Sequence, residues 1–183
     1  PTVLQLFEAS NHIIFNDRGT GIKFGDLFKQ QRALVFFLRH WWCPFCQQFA
    51  QSLKHIDLAP LKRAGLDIVI IGQGSWQVIT SFKAVLGVPF PLYADPERNV
   101  YKSLGMTMRT NDPGPECAVP DYIKHGMTKA TFTAIKIGSP GDLKLLGGEF
   151  ILGPGLQCSF THRMVTVRGH LDAHRILAQT GID

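Results

Sequence analysis

The sequence predicts an α/β fold: a mixed β-sheet flanked by helices on both faces, with a C-terminal β-hairpin and a closing helix. Three observations carry that expectation. Ala33 to Leu38 (ALVFFL) is an unbroken apolar run of the kind that forms a strand buried on both faces. A helical pattern follows it, and Asp67 to Ile71 (DIVII) is a second apolar strand. Two buried strands joined through a helix make a βαβ unit, so these strands should run parallel. Near the end, Gly148 to Leu152 and Leu156 to Thr161 flank Gly153-Pro154-Gly155 as a hairpin, and His170 to Gln179 closes the chain as an amphipathic helix.

The remaining elements fall into place around these. The first thirty residues read as short β elements and one brief helix: a strand over His12 to Phe15, a turn at Asn16-Asp17-Arg18-Gly19, and a helical piece from Gly25 to Gln30. After the central strand, Phe49, Ala50 and Leu53 recur at helical spacing, giving a helix to about His55. Asp57 to Ala64 extends it unless Pro60 breaks it. Ser75 is the expected N-cap of a helix whose apolar face is Val78, Ile79, Phe82 and Val85. Pro89 to Tyr93 is a short strand whose prolines suit an edge, and Asp95-Pro96 opens a helix from Glu97 to Leu104. Met106 to Met127 lacks periodicity, as functional loops do. Thr128 to Ile137 reads as helical, and Met164 to Val167 continues the second hairpin strand.

At 183 residues the chain is long enough to bury a core as one domain, residues 1–183, without disulfide or metal staples. Its formal charge of +5 is modest and no run of like charges exceeds two residues, so nucleic acid is not an expected partner. No apolar segment reaches the roughly 18 residues of a membrane span. Pro1-Thr2-Val3 lacks the basic region of a signal peptide. Four cysteines, two of them paired as C-x-x-C, suit a catalytic dithiol in a reducing compartment, so a cytoplasmic location is expected.

The chemistry concentrates at Arg39-His40-Trp41-Trp42-Cys43-Pro44-Phe45-Cys46, where strand turns into helix. Pro44 suits the first helical turn, where its missing N–H costs nothing. Cys43 then lies at the helix N-terminus, where orphan N–H groups and the helix dipole favour an anion. A cysteine so placed has its pKa lowered from ~8.5 toward ~3.5–7.5 and is a thiolate at neutral pH. Cys46 sits one turn further in on the same side, within reach of whatever bonds to Cys43. A C-x-x-C that follows a buried strand and opens a helix marks a thioredoxin-like redox site. Zinc is a rival, because His40, Cys43 and Cys46 have ligand spacing, but a second C-x-x-C or H-x-x-H pair is missing. Cys117 and Cys158 have no assigned part, and His12 and His174 read as structural.

The segment FLRHWWCPFC resembles the active-site segment of the peroxiredoxin-like group of the thioredoxin-fold superfamily, related to the AhpC/TSA antioxidant proteins and including the prostamide/prostaglandin F synthases. The likeness extends through Ile70-Ile71-Gly72-Gln73-Gly74, Tyr93-Ala94-Asp95-Pro96, Tyr101-Lys102-Ser103-Leu104-Gly105 and Gly147-Gly148-Glu149-Phe150-Ile151-Leu152. It implies a thioredoxin-like mixed sheet and a thiol-dependent oxidoreductase. Cys43 would be the peroxide-attacking nucleophile, and Cys46 the thiol that resolves its sulfenic acid to a disulfide. His40 stands where peroxiredoxins carry a threonine, and it either assists the thiolate or simply packs at the strand end. Arg39, Trp42, Pro44, Phe45, Trp76 and Gly148 are the expected substrate-binding residues. The arginine that peroxiredoxins bring from a later strand is missing at Gly147-Gly148-Glu149, and Arg163 and Arg168 come later still. The substrate would be a peroxide or small organic endoperoxide, and the reductant thioredoxin or another dithiol. No cofactor or metal is needed, and a homodimer is left open. Two other readings stand beside this one. One is a protein thiol–disulfide oxidoreductase. The other is a non-catalytic protein holding an apolar metabolite among Trp41, Trp42, Phe45 and Trp76.

Overall fold

A computed structural model describes residues 1–115, 119–123 and 138–182. Cys117 and the helix expected over Thr128 to Ile137 lie outside the described residues. The chain starts with a helix that the sequence reading passed over, α1 (Val3–Asn11). Thr2 caps it by accepting from the Gln5 backbone N–H, while the Gln5 side chain accepts from the Thr2 backbone N–H. This reciprocal capping box is the sequence signal for the helix. The apolar pattern alone misleads, because Val3, Leu4 and Phe7 are exposed.

Two short strands follow, β1 (Ile13–Phe15) and β2 (Gly21–Lys23), then a single 3-10 turn over Phe24–Leu27. The central unit is β3 (Arg32–Phe37), α2 (Pro44–Leu53), α3 (Leu58–Arg63) and β4 (Leu66–Gly72). β3 and β4 are parallel, in register from Arg32 opposite Leu66 to Phe37 opposite Ile71, as the βαβ reading requires. Asp57 caps α3 by accepting from the Ala59 N–H, and Pro60 falls within its first turn, where proline is tolerated. Then come α4 (Val78–Leu86), β5 (Leu92–Ala94), α5 (Asn99–Ser103), β6 (Gly148–Leu152), β7 (Cys158–Arg163) and α6 (Ala173–Ala178).

The strands form one sheet in the order β2-β1-β5-β4-β3-β6-β7. Three expectations are corrected here. β5 is an interior strand between β1 and β4, because Pro89 and Pro91 precede the residues that pair. Ser75 is not the N-cap of α4: the helix begins at Val78, and Gln77 occupies the cap without a side-chain bond. β6 pairs antiparallel with both β3 and β7, closing the expected hairpin, although β7 ends at Arg163 and does not continue through Met164 to Val167.

Side chains alternate across this sheet and split the core in two. Leu34, Phe36, Leu38, Ile70 and Ile151 face α2, α4 and α6, and both cysteines of the C-x-x-C lie in that layer. Val35, Phe37, Ile71, Phe150 and Leu152 face α1 and α5 on the other side. Buried Tyr101, from α5, donates its hydroxyl to the Leu38 and Ile71 carbonyls and so pins the C-terminal ends of β3 and β4 together. The chain leaves β3 for the C-x-x-C segment at that point. No helix among the described residues is long and apolar enough to cross a membrane.

Candidate active site

Cys43 is the N-cap of α2 and Pro44 its first helical residue. In this place the Cys43 sulfur accepts the otherwise orphaned Cys46 backbone N–H at 3.5 Å. Both cysteines are fully buried. Burial alone would push the Cys43 thiol up. The Cys46 thiol hydrogen bond and the charge of Arg39 outweigh it and bring the Cys43 pKa down to about 6. The Cys46 thiol is pushed well up, first by burial and then by its hydrogen bond to Cys43. The pair therefore holds one thiolate and one thiol at neutral pH.

The positive charge comes from Arg39, whose Nη1 donates to Cys43 Sγ at 3.1 Å. Guanidinium is never deprotonated in a protein, so this buried side chain is a permanent counter-ion for the thiolate. Its other end is fixed as well, with Nη2 donating to the Leu143 carbonyl at 2.9 Å. The backbone around Arg39 is clamped by Gln73, which follows β4. Gln73 Nε2 donates to the Arg39 carbonyl at 2.5 Å and to the Asp142 carbonyl at 2.7 Å, while Oε1 accepts from the Asp142 N–H at 2.8 Å. Trp41 N–H donates to the Pro140 carbonyl at 3.2 Å. Residues 138–146 thus form a strap across the cysteine loop. Arg109 pairs with Asp142 on that strap from the next segment. Gly72 leaves the space that the Trp41 indole fills, since a Cβ there would stand 2.4 Å from the ring.

Cys46 faces a second group, which sequence reading missed. Its sulfur lies 3.4 Å from His170 Nε2 and accepts the Arg39 backbone N–H at 3.4 Å. His170 Nδ1 is 2.5 Å from Glu149 Oε1, and the other carboxylate oxygen is 2.5 Å from His162 Nδ1. Glu149 is fully buried. Burial by itself would raise its pKa, but the bonds from His162 and His170 hold its carboxyl below the usual range. The His170 ring is stacked on Phe49, centroids 4.1 Å apart and planes within 4°. Sheet register makes the cluster: Glu149 is the cross-strand neighbour of His162, on the sheet face that α2 covers.

The other expected site residues divide. His40 adjoins Cys43 through its backbone carbonyl, which accepts the Cys43 N–H. Burial, then the charge of Arg39, lowers the His40 pKa to about 4, so its ring carries no charge at neutral pH. Trp42 and Phe45 are half-buried against the same layer, Phe45 also touching Leu146, Met164 and Val167, and Pro44 is exposed. Trp76 packs against the same layer, with its indole also lying on Gly19. The missing Cβ of Gly148 leaves room for the His162 carbonyl of the neighbouring strand, and that of Gly147 for the Phe37 carbonyl. These glycines allow strands to approach. Arg163 donates to the Leu104 carbonyl and Arg168 to those of Pro113, Gly114 and Pro115, away from the sulfurs. Cys158 packs in the opposite layer. Buried side-chain polar atoms without a partner, among the described residues, all fall between Arg39 and Gln47: Arg39 Nε, His40 Nδ1, Trp41 Nε1, Trp42 Nε1 and Gln47 Oε1.

Residues 52–166 match the model of the AhpC/TSA antioxidant enzyme family, a match that begins beyond both sulfurs. The chain is 30% identical to human peroxiredoxin-like 2C over 174 residues, which is 92% of this chain and 77% of that protein. It is 26% identical to the prostamide/prostaglandin F synthase of Danio rerio over 147 residues, 80% of this chain and 72% of the relative. Among solved structures it resembles the bacterioferritin comigratory protein of Xanthomonas campestris, described for alkyl peroxide reduction. That resemblance has a TM-score of 0.64 at 15% identity and covers 96% and 92% of the two chains.

Proposed function

Because the chain belongs to the AhpC/TSA antioxidant enzyme family, we propose that it is a thiol peroxidase working through the Cys43–Cys46 dithiol. The observation that carries the reading is the contact of the Arg39 guanidinium with Cys43 Sγ at a helix N-terminus. It supplies a thiolate at neutral pH and a positive charge beside the atom that reacts. The thiolate attacks one oxygen of a hydroperoxide and the O–O bond breaks. Cys43 becomes a sulfenic acid, and an alkoxide or hydroxide leaves and takes up a proton. Among the described residues the buried Arg39 Nε–H has no partner, and the negative charge that develops on the leaving oxygen calls for such a donor. Cys46 then displaces hydroxide from the sulfenic acid, and an external dithiol such as thioredoxin returns the disulfide to two thiols.

A small organic endoperoxide is opened by the same attack, giving a sulfenate ester that Cys46 resolves. Full burial of both sulfurs speaks for a small oxidant and against a protein disulfide as substrate. The lowered Cys43 pKa speaks against a purely structural dithiol. A reducing, cytoplasmic setting supplies the dithiol donor the cycle needs.

The test is a stoichiometric reaction of the reduced protein with hydrogen peroxide and with an organic hydroperoxide, followed by intact mass and peptide mapping. The reading expects a Cys43–Cys46 disulfide in the wild type and a trappable sulfenic acid on Cys43 in Cys46→Ser. Thiols that stay inert to both oxidants would overturn it.

A further inference from the structure

Cys46 must lose its proton before it can attack the sulfenic acid, yet it is the sulfur whose ionisation the site resists. The fold answers with a chain of contacts from buried Cys46 Sγ through buried His170 and Glu149 to part-exposed His162. We propose that His170 is the catalytic residue of the resolving step, taking the Cys46 proton on Nε2, and that Glu149 positions it for that role. The inference rests on the reading that the dithiol cycles between thiols and disulfide.

The geometry dictates the tautomer. Glu149 is an ionised acceptor, so the His170 nitrogen 2.5 Å from it must carry the hydrogen and donate it. Nε2 is then left with its lone pair toward the Cys46 thiol. The Phe49 stack fixes the ring plane, and the carboxylate offsets the imidazolium that forms on proton transfer. The second carboxylate oxygen is held by His162, which keeps Glu149 from rotating away.

In the resolving step the Cys46 S–H bond breaks and its proton goes to His170 Nε2. The Cys46 thiolate attacks Cys43 sulfur, the S–S bond forms and the S–O bond breaks. The departing hydroxide receives the proton from Nε2–H and leaves as water. Sulfenic acid and thiol become disulfide and water, and His170 ends neutral, as it began. When the external dithiol later reduces the disulfide, Nε2 first takes the proton of the attacking thiol and then passes it to Cys46 as it leaves.

The experiment separates the two sulfurs in time. A pyridyl disulfide reacts with Cys43 and releases one thiopyridone; Cys46 then attacks the mixed disulfide and releases a second. Stopped-flow absorbance reads both phases in the wild type, His170→Phe and Glu149→Gln, beside the same variants treated with a hydroperoxide. Phenylalanine keeps the stack on Phe49 and removes both nitrogens. The expected result is a first phase within about twofold of wild type and a second slowed by about 100-fold, the scale of a lost general base. A folded His170→Phe protein with an unchanged second phase would overturn the proposal.

Since that substitution could impair folding, nitrogen NMR of the wild type supplies an independent check. The reduced protein should show a neutral His170 with its hydrogen on Nδ1, and Glu149→Gln should release the ring to the other tautomer. A neutral ring protonated at Nε2, or one protonated at both nitrogens at neutral pH, would also overturn it. The pyridyl route needs no peroxide. A slow second phase with thiols inert to hydroperoxide would remove the peroxidase reading and leave the His170 assignment standing. Normal sulfenic acid chemistry with an unchanged second phase would do the reverse.

Discussion

Cys43 and Cys46 are three residues apart, equally buried and hydrogen-bonded to each other, yet the fold pushes them in opposite directions. Cys43 caps the helix, accepts a backbone N–H and lies 3.1 Å from a guanidinium. Cys46 lies inside the first turn of that helix, accepts the Arg39 backbone N–H and faces an imidazole at 3.4 Å. Burial disfavours the thiolate at both positions, so it is the partners that decide. At Cys43 the Cys46 thiol hydrogen bond and one permanent cation together outweigh complete desolvation, while the contacts of Cys46 do not. A dithiol needs that asymmetry, because two thiolates would repel each other and two thiols would both be poor nucleophiles.

The largest effect should come from making the two positions unequal in kind. Cys43→Ser should abolish peroxide consumption. Cys46→Ser should still react once, at a rate set by Cys43, and then accumulate sulfenic acid, as mass spectrometry of a single turnover would show. Arg39→Met tests what separates the two pKa values. With a Cys43 pKa of about 6 the residue is mostly thiolate at neutral pH, and at an ordinary thiol value of ~8.5 only about 3% is ionised. Arg39 shares the lowering with the Cys46 hydrogen bond, which Arg39→Met leaves in place, so a drop of up to about 30-fold in the peroxide rate constant at pH 7 is expected from ionisation, and lost stabilisation of the leaving oxygen adds to it.

Glu149 tests the Cys46 side through stability. Its pKa is lowered in the folded protein, so its contribution is present above the ordinary glutamate pKa of ~4.3 and is lost as pH falls from there through the folded value. Urea unfolding of wild type should weaken across that acid window more steeply than that of Glu149→Gln. At neutral pH the variant should be the less stable by about 2 kcal/mol, on the scale of a charge-assisted hydrogen bond lost in a buried site. The smallest effect is expected at His40, which is neutral beside a charged neighbour. His40→Asn should change the peroxide rate at pH 7 by no more than about twofold, whereas an assisting His40 would cost the 100-fold typical of a lost acid or base.

The sequence makes one half of this arrangement readable and hides the other. An apolar strand ending in R-H-W-W-C-P-F-C states locally that Cys43 opens a helix and that an arginine is close by in the chain. It does not say which way Arg39 points, and alternation along the strand left that open until the Gln73 clamp and the strap at 138–146 turned it onto the sulfur. His170 and Glu149 are joined to Cys46 only by sheet register and by the segment leading into α6, with Cys46 and His170 124 positions apart in sequence. A signal was there: Glu149 is a lone charge in the otherwise apolar run of β6, and a charge buried in a strand demands a partner. β5 lies inside the sheet because Pro89 and Pro91 stand before its paired residues, and the signal for α1 is the Thr2–Gln5 capping pair, since Val3, Leu4 and Phe7 are exposed and show no buried face.

The most direct test of this division of labour is a titration of the two sulfurs in the intact reduced protein. Brief iodoacetamide pulses from about pH 4 to about pH 9 span the lowered and ordinary thiol ranges, and acid quenching with peptide mapping reads each residue separately. The account predicts that Cys43 labels with an apparent pKa near 6 and that Cys46 stays unlabelled across the range. Labelling of Cys46 ahead of Cys43, or of both with a shared ordinary thiol pKa, would contradict it.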